Sequence, residues 1–246
     1  MAPTPFIDVH SHHQGPPNKQ TLTVVSFSVP NPKPQTPYLK PHTPYPKPDT
    51  PYLKPQTPYP NPYTLGVHPW DIDPLGFSPD ELRSLALHPD CIGIGETGLD
   101  KLRGPDLNIQ EVVFREHIKI AEEVHKPLII HCVRSWDIII GLKKELKPTV
   151  PWIIHGYRGN SSRSGQLIAA GFYLSFGAAL LGGDPGLRKS WIECPADRLF
   201  LETDVSTEPV STLYEHGARL RNIPVSELKT YIVSNFKRVF RFHANT

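Results

Sequence analysis

Cysteine is scarce, an excess of one charge is absent, and no long apolar run occurs. The three cysteines, Cys91, Cys132 and Cys194, are odd in number, far apart and without C-x-x-C spacing. That pattern argues against a disulfide framework and points to reduced thiols in a cytoplasmic compartment. A formal charge of +2 is too mild to predict nucleic-acid binding from electrostatics alone. No stretch approaches the roughly 20 apolar residues of a membrane span, and the opening Met1 to Phe6 has neither a basic patch nor an apolar signal core. A soluble intracellular chain is expected, with no membrane partner. Also lacking is any helical pattern between the first and third apolar runs.

Proline, in contrast, is abundant, with 29 in 246 residues. Thr36 to Tyr63 is a seven-residue repeat taken four times, Thr-Pro-Tyr-Leu/Pro-Lys/Asn-Pro-x. Prolines this dense exclude a helical heptad, because each removes a donor and clashes with the preceding turn. The segment 30–63 is expected to be an extended, polyproline-II-like insertion in a single domain spanning 1–246. It reads either as a tolerated duplication, as a spacer, or as a docking ligand for a partner that binds Pro-rich motifs.

The chain is organised around Phe6-Ile-Asp-Val-His10-Ser-His12. Residues two apart on a strand point to one side, so both imidazoles can aim at one spot past the strand's end. The phrase recurs: apolar runs lead into Glu96, His131, His155 and the Glu202-Thr203-Asp204 triplet. Six candidate metal ligands, namely His10, His12, Glu96, His131, His155 and Asp204, thus stand at five strand ends. That is the arrangement of the C-terminal mouth of a parallel barrel. Eight strand patterns, mostly alternating with helices, predict a (β/α)8 TIM-type barrel whose first two outer helices are missing or replaced by the Pro-rich loop. Ser78-Pro79-Asp80-Glu81 predicts a capped helix start.

The imidazoles and carboxylates suit divalent metal, with zinc, manganese and magnesium all open. Asp204 is expected to position a metal-activated water and take its proton, which makes it a catalytic candidate beside Glu96. His68, Asp100, Arg134, Arg158 and Glu202 are candidates for substrate contact, the arginines because a planar guanidinium pairs with phosphate oxygens. Glu202 has a second reading, as a support for a ligand. Trp70 could stack on a base.

With these residues in view the chain resembles the TatD-related metal-dependent hydrolases, within the amidohydrolase-like barrels. The matching pieces are Asp8-Val-His10-Ser-His12, Gly66-Val-His68-Pro, Gly93-Ile-Gly-Glu96-Thr-Gly-Leu-Asp100, Pro127-Leu-Ile-Ile-His131, His155-Gly-Tyr-Arg-Gly159, Leu201-Glu-Thr-Asp204 and the tail Val233 to Phe240. The resemblance implies a barrel carrying one to three divalent ions, and phosphodiester hydrolysis, usually of DNA. It also implies one ion on His10, His12, Glu96 and Asp204 and another on His131 and His155, with Glu96 shared. Alternatives left open are a small amide, ester or phosphoester as substrate, and a non-catalytic barrel that presents the Pro-rich segment. The oligomeric state is not readable from the sequence.

Overall fold

A computed structural model describes residues 4–13, 20–28, 62–73 and 77–241. Eight strands lie in chain order, each parallel to the next: β1 (Phe6–Ser11), β2 (Thr21–Ser28), β3 (Tyr63–Gly66), β4 (Cys91–Asp100), β5 (Leu128–Val133), β6 (Trp152–Ile154), β7 (Tyr173–Phe176) and β8 (Leu199–Leu201). A parallel bridge between Ser11 and Asp204 brings the last strand back to the first. The result is a TIM-type barrel, as the strand pattern predicts.

The strands are short apolar runs because both faces are covered. Ile94, Leu128, Ile130, Trp152, Ile153, Ile154, Leu174 and Leu199 to Leu201 are sealed from solvent. The outer layer starts with α1 (Pro79–Ala86), after which come α2 (Leu107–Glu123), α3 (Trp136–Leu146), α4 (Ser161–Ala169), a 3-10 turn (Ala178–Gly182), α5 (Pro185–Glu193), α6 (Val210–Arg221) and α7 (Val225–Phe240). Ser78 caps α1 by accepting the Glu81 N–H, with Pro79 at the first turn, as the sequence predicts. Two apolar side chains of this layer face solvent: Leu87, at 68% exposure, lies just past the end of α1, and Val112, at 65%, lies on the outer face of α2.

Among the described residues no helix follows β1 or β2. Helix α7 packs against both β1 and β8 and covers part of that flank. The Pro-rich repeat lies outside the described residues except at its end, where one boundary changes. Tyr63, the last residue of the repeat, is the first of β3: it pairs with Val25, is 5% exposed, and meets Phe27 edge-on. A tyrosine that looks like repeat is therefore barrel core.

Candidate metal centre and its supports

The strand ends deliver the six predicted ligands, with His68, to one small volume. Glu96 sits at its middle. It does not end its strand, as the sequence suggests; β4 continues to Asp100, and the pairing with β5 shifts register between Ile94 and Thr97. Gly95 makes this possible: its φ is +134°, and a Cβ there would lie 2.4 Å from the Ile129 carbonyl oxygen. The irregularity at Gly95 and Glu96 coincides with a side chain that faces histidines from four other strands.

The two oxygens of Glu96 serve two groups of histidines. Oε2 lies 3.3 Å from His10 Nε2 and 3.4 Å from His12 Nε2. Oε1 lies 2.8 Å from His131 Nδ1, 2.6 Å from His155 Nε2 and 3.1 Å from His68 Nε2. Asp204 completes the first group, with Oδ1 3.6 Å from His12 Nε2 and 3.9 Å from His10 Nε2. His10, His12 and Glu96 form one set of atoms that could share an ion; His68, Glu96 and His131 form another, and His10, His155 and Asp204 a third.

The electrostatics fit a cation. Burial alone would raise the Glu96 pKa, but the charge on His155 and the close approach of His10, His12 and His131 hold it well below the usual carboxylate range. Burial would likewise lower His155, yet Glu96 and Glu202 push it well above the ordinary imidazole value. His12 is raised too, with Glu96 and Asp204 outweighing burial. Protons here stand where positive charge is wanted. His10 carries a further sign: it is 1% exposed, and among the described residues neither ring nitrogen has a hydrogen-bond partner, although Nε2 faces Glu96 Oε2 at 3.3 Å. A buried nitrogen left unpaired is costly, and a cation would satisfy it.

The matches to known proteins follow the same residues. The family model described as TatD related DNase matches residues 52–241. The uncharacterized metal-dependent hydrolase YcfH of Escherichia coli K12 is 31% identical over 197 residues, covering 73% of this chain and 74% of that protein. The chain belongs to the TatD-related family. YabD of Bacillus subtilis, also called an uncharacterized metal-dependent hydrolase, is 31% identical over 199 residues, covering 73% of this chain and 77% of that protein. The 3'-5' ssDNA/RNA exonuclease TatD of Cronobacter turicensis is 31% identical over 164 residues, covering 65% and 62%. Among solved structures, the TatD homolog YjjV of E. coli K12 superposes with a TM-score of 0.66 at 21% identity, covering 76% of this chain and 80% of that one. That similarity confirms the barrel. As a TatD-family member the chain is a hydrolase dependent on divalent metal.

Within this TatD-type site, three expected substrate contacts sit elsewhere than the mouth's surface. Asp100 is 3% exposed and fully engaged: Oδ2 lies 3.1 Å from His131 Nε2 and accepts Trp70 Nε1–H at 2.7 Å, while Oδ1 accepts the Leu102 and Arg103 N–H groups. Glu202 has no exposed surface; its Oε1 lies 3.2 Å from His155 Nδ1 and accepts the Gly156 N–H at 2.6 Å. Each carboxylate orients an imidazole from behind, which is Glu202's second reading. His68 joins the Glu96 group and is also 3.2 Å from His131 Nδ1. Arg134 and Arg158 lie exposed, and among the described residues no hydrogen bond or ion pair ties either to the cluster.

Three supports lie outside the site residues that the sequence predicts. Asp8 is buried under the site and accepts the Thr203 N–H at 2.9 Å and Oγ1–H at 2.7 Å; burial, offset in part by those bonds, pushes its carboxyl up to about 7. His117 is fully buried on α2: Nδ1 donates to the Val113 carbonyl, leaving Nε2 to accept the Val67 N–H beside His68. Gln110, 1% exposed, accepts the Asp100 N–H and donates to the Asp100, Arg103 and Pro105 carbonyls. A histidine or glutamine satisfied by backbone groups looks, in sequence, like any polar residue on a helix.

Proposed function

We propose that this chain is a phosphodiesterase acting on DNA, at ends or in single strands, within a reducing cytoplasm. In this reading one ion is held by His10, His12, Glu96 and Asp204, and a second by Glu96, His131 and His155 with His68 beside them. The observation that carries it is the division of the Glu96 carboxylate, one oxygen toward each histidine group. A set this rich in imidazole suits zinc better than magnesium, and its carboxylates leave room for manganese.

Bound divalent ions would supply Lewis acidity at the phosphoryl oxygens and bring the pKa of water toward neutrality. Asp204, 26% exposed where the site opens, holds the attacking water and receives its proton at Oδ1. Asp100 and Glu202 keep His131 and His155 turned so that one ring nitrogen of each faces Glu96. Arg134 and Arg158, on the exposed rim, take phosphate oxygens of the substrate. The likeness to the Cronobacter TatD protein, a 3'-5' ssDNA/RNA exonuclease, supports a nucleic-acid substrate.

The test is elemental analysis of unsupplemented protein together with hydrolysis of bis(p-nitrophenyl) phosphate and of single-stranded DNA, with and without chelator. Bound divalent metal, activity lost to chelator and restored by manganese or zinc, and no activity in a His10→Ala/Glu96→Ala double variant are expected. Activity that survives chelation or the double variant would remove this site from the chemistry.

A further inference from the structure

The loop after β4 is built as a rigid stage for one side chain. Asp100 Oδ1 gathers the Leu102 and Arg103 N–H groups, and Gln110, buried on α2, clasps the carbonyls of Asp100, Arg103 and Pro105. Gly104 closes against Pro69 at φ +95°, where a Cβ would come within 2.5 Å of the Pro69 carbonyl oxygen. The loop therefore abuts the segment that carries His68 and Trp70. What it presents is Arg103, whose guanidinium carbon lies 3.8 Å above the Trp70 ring centre.

Trp70 fixes that guanidinium relative to the metal centre. Its Nε1–H is tied to Asp100 Oδ2, and its ring stands edge-on to His68, 4.6 Å between centroids, and to His131, 5.5 Å. One indole separates Arg103 from two imidazoles of the Glu96 group. Three other arginines of the barrel are held by carboxylates: Arg83 by Asp80 and Glu123, Arg115 by Glu111 and Glu145, Arg163 by Asp137. Arg103 is exposed and pairs with no carboxylate among the described residues. A planar cation stacked on an aromatic face keeps its N–H edge free for an anion and loses little freedom on binding one.

We propose that Arg103, held flat on Trp70, binds a phosphate of the substrate strand next to the one at the metal centre. It would be a specificity-determining residue that favours polynucleotides over small phosphodiesters. This rests on the phosphodiesterase reading and adds a subsite to it.

The experiment compares wild type with Arg103→Ala and Arg103→Lys on two substrates, a fluorescein-labelled oligothymidylate and bis(p-nitrophenyl) phosphate. For Arg103→Ala the ratio of kcat/KM for the oligonucleotide to that for the small diester should fall about tenfold, chiefly through KM, the scale of one phosphate contact. The slope of log Kd against log salt, from fluorescence anisotropy of the oligonucleotide, should become shallower by about 0.7. Arg103→Lys should restore the slope but only part of the affinity, since it keeps the charge and loses the fork. Equal losses on both substrates, or an oligonucleotide KM and salt slope that do not move, would overturn the assignment. A wild-type protein that cleaves the small diester yet binds no oligonucleotide would overturn it while leaving the metal chemistry standing. If wild type cleaves neither, the phosphodiesterase reading fails, and anisotropy, which needs no turnover, still decides the role of Arg103.

Discussion

The Asp204 N–H donates to the His10 carbonyl at 3.0 Å, and the Asp204 carbonyl accepts the His12 N–H at 3.1 Å. The seam where β8 returns to β1 is thus made by the same residues whose side chains surround Glu96. Asp204 holds a left-handed backbone there, φ 54°, uncommon for a residue with a side chain. Below the seam, Thr203 reaches across to Asp8.

Thr203→Val keeps the shape of the seam and deletes the hydroxyl donor to a buried carboxylate. Stability should drop by about 1–3 kcal/mol, the penalty for an unmet buried acceptor. Urea denaturation checks this as a lower midpoint at unchanged slope. A midpoint equal to wild type would show that the Asp8 contact holds nothing in place.

The division of Glu96 between two histidine groups separates variants by metal content. Glu96→Ala should lose both ions, while His12→Ala, on one side only, should lose the first and keep the second. Mass-spectrometric metal counts on dialysed protein decide it. Equal counts in the two variants would mean that the carboxylate is not shared.

His117 gives a pH dependence. Burial, only partly offset by the Val113 carbonyl, pushes its pKa from 6.5 down to about 4. Between those values the unfolded chain takes a proton that the folded one refuses, so stability rises with pH across that window. The contribution is whole above pH 6.5 and is lost as pH falls through about 4, on the order of 3 kcal/mol in all. His117→Gln can still accept the Val67 N–H, and should flatten the stability profile over that range relative to wild type. Parallel profiles would rule the histidine out as the source.

Much of this was readable in advance, for physical reasons. A strand buried on both faces must be apolar along its length, so a histidine or carboxylate at its end stands out; His10, His12, His131 and His155 are all found that way. The capped start at Ser78 is equally local. Glu96 was readable as a ligand but not as a residue inside a strand, because the bulge at Gly95 depends on how β4 pairs with β5. Asp100 and Glu202 looked like cleft residues because their spacing fixes the strand and not the depth. Gln110 and His117 left no trace, since their partners are backbone groups, in the loop before α2 for Gln110 and at Val113 and Val67 for His117.

Tyr63 marks where the Pro-rich repeat enters the barrel. Removing Thr36 to Pro58 should leave thermal stability and metal content near wild type. Tyr63→Ala, in contrast, empties a core position against Phe27 and His88 and should cost about 3 kcal/mol. Thermal melts of both proteins check the pair; a deletion as damaging as the point change would make the repeat part of the fold.

A hoop is weakest at its join, and here the join is where the ions would sit. Cation loading would act as a rivet through the first and last staves, so chelation should loosen the whole ring from that point outward and not merely silence its chemistry.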